Sequence, residues 1–198
     1  MAITAGTVQP IAAAPGARGT SSVAMATIPC DPSDAFLPGD ILAINAATRD
    51  VSVAATPVAA AGTIFGVAMC KSFTSAATID RNGQVNDDLI NVALAVADAR
   101  FAGNVVTGTA TDETGVYVDN IRVKLGLIRT DAGGGTYFAI EQSSTGVDVV
   151  YPLEYVTPQF DTTGQDWQYG REAGVGMLNP RVIFMFLYNA TVFGTAIA

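Results

Sequence analysis

Histidine is missing from all 198 residues, cysteine occurs twice and tryptophan once. Without histidine no side chain has an ordinary pKa near neutrality, so Ser-His-Asp and Cys-His catalysis and histidine-ligated zinc are excluded. Two cysteines, Cys30 and Cys70, are too few for a disulfide framework or a zinc cluster, and two thiols are expected. Positive charge is scarce too: Lys plus Arg is 10 against 18 Asp plus Glu, a formal net charge of −8. Phosphate binding needs clustered cations. Here only Arg122 and Lys124 share a face at strand period, and the other eight cations stand singly. Nucleic acid is therefore not expected as a partner, nor is an anionic membrane.

Long apolar runs and helical periodicity are also lacking. Residues 182–198 carry no charge, but Asn189, Thr191, Gly194 and Thr195 interrupt them, and the run falls short of a comfortable membrane span. A buried strand over Val182–Tyr188 with a small-residue tail is expected. Residues 1–20 lack the basic start and continuous apolar core of a secretory leader. Their small, Pro- and Gly-punctuated composition fits an extended N-terminal arm.

What remains is apolar and finely punctuated. Hydrophobic residues make up 49% and charged residues 14%, with 20 glycines, a balance that argues for a folded chain. Short strands are expected at Ser22–Ile28, Ile41–Asn45, Val51–Ala54 and Thr63–Cys70. Pro38-Gly39 fits the centre of a type II turn, where glycine accepts positive φ. Asn82-Gly83 predicts a hairpin over Thr78–Val85. Leu89–Arg100 alternates branched residues with alanine, which favours strand while its alanines permit helix. Further strands are expected at Val116–Val118, Tyr137–Glu141, Val147–Val156 and, centrally, Arg181–Tyr188. Ile121–Leu127 should be a half-buried strand with Arg122 and Lys124 on its outer face. Many short strands indicate an all-β barrel or sandwich of antiparallel strands. An arm over 1–20, a lobe over 21–110 and a second β-rich lobe over 111–198 follow, with Gly103–Thr114 as the hinge; the two lobes could equally be one continuous domain.

Constellations that could carry chemistry are weak. Asp80 to Asp88 resembles a calcium loop but lacks the closing glutamate. Gly170, Gly174 and Gly176 precede Pro180 too closely for a strand–glycine–helix phosphate site. Asp161, Asp166 and Glu172 could pair as carboxylates for glycoside hydrolysis beside Trp167 and Tyr169, yet acidic loop residues are common. The two aromatics read better as anchors of a loop or a subunit interface. No catalytic, cofactor or metal residues are expected, and the chain is not expected to be an enzyme.

The run Pro38 to Cys70, PGDILAINAATRDVSVAATPVAAAGTIFGVAMC, carries a family likeness. Pro38, Gly39 and Asp40 lead into a strand, Val51 and Val53 form a V-x-V strand, and Gly66, Val67 and Ala68 close the unit. In these residues, in its loose Ala/Gly/Thr-rich N-terminal arm and in Asn179-Pro180-Arg181 before the last strand, the chain resembles the head decoration (cement) proteins of tailed bacteriophages. The close match covers about a sixth of the chain.

The resemblance implies a β-tulip or β-barrel lobe in a homotrimer. Such a protein is made in the host cytoplasm and binds the outer surface of the capsid, tying neighbouring copies of the major capsid protein together. Thr4, Val8 and Ile11 on the arm, with Trp167 and Tyr169, are the candidate capsid or subunit contacts. Removing residues 1–20 is expected to leave the fold intact and weaken attachment. The alternative is another virion β-module, from a tail or fibre or contacting carbohydrate.

Overall fold

Branched residues at period two, cut by glycine, proline and polar corners, give strands of two to seven residues. The computed structural model describes residues 10–14, 23–31, 34–45, 50–56, 58–59, 62–74, 88–106, 121–130, 137–141, 147–155 and 181–194. Its strands begin with β1 (Ala12–Ala14), β2 (Met25–Cys30), β3 (Ile41–Ile44), β4 (Val51–Val53), β5 (Ile64–Ala68) and β6 (Phe73–Thr74). They continue with β7 (Asp88–Leu94), β8 (Arg100–Val106), β9 (Gly126–Thr130), β10 (Tyr137–Glu141), β11 (Val150–Tyr155) and β12 (Arg181–Phe186). The protein is all-β: among the described residues the only helical turn is a 3-10 turn at Tyr188–Ala190.

Two sheets result. In the first, the order β2-β4-β3-β5-β7 closes into a five-stranded barrel because β2 also pairs with β7, and β6 flanks β7. The second runs β11-β12-β8-β10-β9, with β1 added to β8. Among the described residues it curls back on itself through an antiparallel bridge, Leu125 to Val150. Rolling a sheet in this way covers backbone edges that would otherwise stand open.

Neighbouring residues of the barrel strands feed two different cores. Ile41, Val67 and Ala93 enter a large cluster shared with Phe101, Leu127, Phe138 and Phe184 of the second sheet. Leu42, Ala68 and Val92 enter a smaller cluster with Cys30, Phe36, Val51 and Ile90. Strands buried on both faces lose the polar/apolar alternation of a half-exposed sheet, which explains the run Leu89–Leu94. Backbone bonds also join the two sheets: the Val58 N–H donates to Leu127 O (3.0 Å) and the Val192 N–H to Ile64 O (3.0 Å). Residues 187–194, which follow β12, are thereby built into the fold, and among the described residues no helix is long and apolar enough to cross a membrane.

The expected Pro38-Gly39 turn is present. Gly39 has φ 90° and the Asp40 N–H donates to Leu37 O at 3.1 Å, as a type II turn requires. Tyr137–Glu141 forms as expected, and β12 lies inside its sheet between β11 and β8. Cys30 and Cys70 form no disulfide. The Asn82-Gly83 hairpin and Val116–Val118 lie outside the described residues.

Several expectations need correction. Leu89–Arg100 is not one strand: β7 ends at Leu94, a turn follows in which the Ala99 N–H donates to Val96 O (2.9 Å), and β8 begins at Arg100. The change of sheet therefore falls there, ahead of residue 110. Gly103, placed in a hinge, sits within β8. Ile121–Leu127 is not a continuous strand either. Arg122 takes φ 67°, Val123 is exposed, and the regular strand starts at Gly126. The Arg122 N–H instead donates to Pro152 O (2.9 Å), so this segment covers part of the edge of β11.

Candidate functional site

The first described residues form a strap that joins both sheets. Alanine offers little side chain to pack, so Ala12–Ala14 is held mainly by pairing antiparallel with Arg100–Ala102 of β8. Ile11 supplies the apolar anchor: it is 2% exposed and enters the large core. Two glycines make room for it. A Cβ on Gly103 would lie 3.3 Å from Ile11 Cγ1, and one on Gly39 would lie 2.6 Å from both Ile11 N and Pro10 Cβ. The strap thus passes between the Pro38-Gly39 turn of the barrel and the centre of the second sheet.

Arg181 locks this seat. Its Nη2 donates to Pro10 O (2.9 Å) and Ala102 O (3.1 Å), and Nη1 donates to Asn104 Oδ1 (3.0 Å). The planar guanidinium holds five N–H donors in a rigid fork, so it fixes these oxygens in a set arrangement that the compact, rotatable ammonium of lysine would not impose. Burial lowers the Arg181 pKa from its ordinary value.

A second polar contact sits under the same turn. Asp40 is 2% exposed; its Oδ2 accepts from the Leu37 N–H (2.9 Å), and its Oδ1 lies 3.5 Å from Arg129 Nη2 of β9. The Arg129 guanidinium also rests 5.7 Å from the Phe138 ring centre, while its Nε is buried without a hydrogen-bond partner. Burial raises the Asp40 pKa above its ordinary value; the Leu37 N–H and Arg129 pull it down, and Asp34 pushes it up. Burial is the largest of these effects and outweighs the 3.5 Å contact with Arg129.

A raised carboxyl pKa means that the folded state holds the proton more tightly than the unfolded chain. The stability this gives is fully present below the ordinary aspartate pKa and is lost as pH rises through the raised folded value. Relative to Asp40→Asn, the wild-type chain is expected to be favoured most in acid and to lose that margin towards neutrality. Urea unfolding of both proteins from about pH 3 to about pH 7 checks this; a margin that grows with pH would contradict it.

Among the candidate contacts, only Ile11 falls on described residues. It is not available as an outward contact, because its side chain fills this chain's own core. The arm over 1–20 is likewise not loose throughout, since Ala12–Ala14 is a sheet strand. Removing residues 1–20 would take out that strand and the Ile11 anchor, so an intact fold is no longer the expected result. Thr4, Val8, Trp167 and Tyr169 lie outside the described residues, as do Asp161, Asp166 and Glu172.

Sequence reasoning missed Arg181, Asp40 and Arg129 as pieces of the joint. The available signal was a lone cation at the head of the most apolar strand, and an aspartate directly after a type II turn. Among the described residues no three His, Cys, Asp or Glu side chains are grouped to hold a metal ion. The large apolar side chains exposed there are Met25, Val123, Tyr188 and Phe193. The Phe193 ring packs at a tilt against Phe65 of β5, with ring centres 5.5 Å apart. No protein-family model, no curated protein and no solved structure matches the chain.

Proposed function

We propose that this chain is a structural virion protein, a homotrimer that binds the outside of an icosahedral capsid and cements neighbouring major capsid subunits. The observation that carries the reading is the run Pro38 to Cys70. Its P-G-D lead-in is a type II turn before β3, its V-x-V is β4, and its G-hydrophobic-A closes β5. In the closed barrel β3 lies between β4 and β5 and pairs antiparallel with both, and a barrel lobe is what the likeness to decoration proteins implies.

The physical chemistry suits a passive clamp. A closed barrel with a packed interior is rigid, and several copies tethered together multiply weak contacts into avidity. The formal charge of −8 favours solubility at high copy number and suits a surface kept away from packaged DNA. The reading needs no cofactor and no chemical turnover.

Light scattering on the eluting protein and co-sedimentation with expanded capsid shells test it. A particle three times the 20.4 kDa chain mass that pellets with shells is expected. A strict monomer without affinity for shells overturns the proposal.

A further inference from the structure

The seat of the strap is complementary to a segment that every copy of the chain carries. It consists of the β8 edge at Arg100–Ala102, the space over Gly39 and Gly103 that takes Pro10 and Ile11, and the Arg181 fork that binds Pro10 O. We propose that this seat also accepts the Pro10–Ala14 strap of a second copy, so that copies of the chain join by exchanging straps. The inference is independent of the capsid reading, since it requires no shell.

Three observations favour a second copy as the occupant. The seat recognises the strap through backbone pairing, one carbonyl and one isoleucine, and each is identical in another copy. The strap lies in the second sheet, whereas β2, the next strand in the chain, belongs to the barrel. The eight residues between, 15–22, read PGARGTSS. Such small, Gly- and Ser-containing sequences act as linkers, and the nine steps from Ala14 to Val23 reach about 30 Å when extended. Exchange breaks and remakes the same contacts, so its balance depends on the linker and on protein concentration.

The test uses the full chain. Ala12 faces Ala102 in the antiparallel register, and directly opposed residues lie within the Cα separation of a disulfide. The Ala12→Cys and Ala102→Cys variants are mixed at high concentration, oxidised and separated without reductant. A disulfide-linked dimer containing one chain of each variant is expected, with a yield that falls when the mixture is diluted before oxidation. Ala12→Cys mixed with wild type, or with a variant carrying Ala97→Cys in the exposed turn after β7, should give little of it. Equal yields in these controls would mean random collision and overturn the proposal. So would the absence of the mixed dimer while the double variant closes its bridge within one chain. Failure of the double variant to close overturns the register itself, and the proposal with it.

Discussion

Replacing Phe184 by alanine is expected to lower the unfolding free energy by about 3–5 kcal/mol. Phe184 is fully buried in β12. Its ring centre lies 5.9 Å from that of Phe101 and 5.5 Å from that of Phe186, and the latter two are 5.1 Å apart. Truncation removes a large apolar side chain and two ring contacts together, and the rolled sheet has little freedom to collapse into the gap. Urea unfolding followed by far-ultraviolet circular dichroism measures the loss. A change under about 1 kcal/mol would mean that the three rings do not form one packed unit. Gly103 supplies an internal check. A Cβ there would lie 3.0 Å from Phe184 Cε1, so Gly103→Ala should cost clearly less in the Phe184→Ala background than alone, a coupling that a double-mutant cycle reads.

Gly39→Val is expected to be nearly as damaging, for a different reason. The position has φ 90°, where a β-branched residue is strained, and such strain costs about 1–3 kcal/mol. The new side chain would also strike Pro10 and the backbone of Ile11, since a Cβ alone would lie 2.6 Å from Ile11 N. Overpacking of this kind costs about 1–3 kcal/mol more. The summed loss is about 2–6 kcal/mol, and it should concentrate on the strap, so hydrogen exchange at the Ala12–Ala14 amides should accelerate ahead of exchange in the barrel. Unchanged strap protection together with unchanged stability would show that the turn and the strap are not in contact.

Both of these sites were legible in the sequence. Arg181–Tyr188 reads as a buried central strand from its apolar run, and the strand forms over Arg181–Phe186. Pro38-Gly39 reads as a type II turn because only glycine takes that φ without cost, and it is one. In both, the cause lies within a few residues, where sequence carries the information. Ile121–Leu127 shows the limit of that logic. Its alternation is that of a half-buried strand, yet Arg122 turns into positive φ so that its N–H can reach Pro152, a partner thirty residues on. Leu89–Arg100 failed similarly, because alanine-rich alternation continues smoothly across the turn that separates the two sheets.

Ile11 is the clearest case of a residue whose role could not be read locally. An isolated isoleucine among alanines, next to proline, looks like an outward contact on a loose arm. It is a core residue only because Gly39, Gly103 and Arg181, distant in the chain, converge to make its seat. Asp40 and Arg129 meet by the same long-range route.

Composition and short-range pattern by themselves determined that this chain is all-β, that histidine chemistry is closed to it, and where most strands and one decisive turn lie, because excluded residue types and backbone preferences act without reference to the rest of the molecule. Tertiary structure alone decided which strands pair, that β3, β5 and β7 feed two cores while one face of β2 stays exposed, and that the alanine strap belongs to the second sheet. Those outcomes depend on which distant surfaces shed water against one another, and no local pattern encodes that choice.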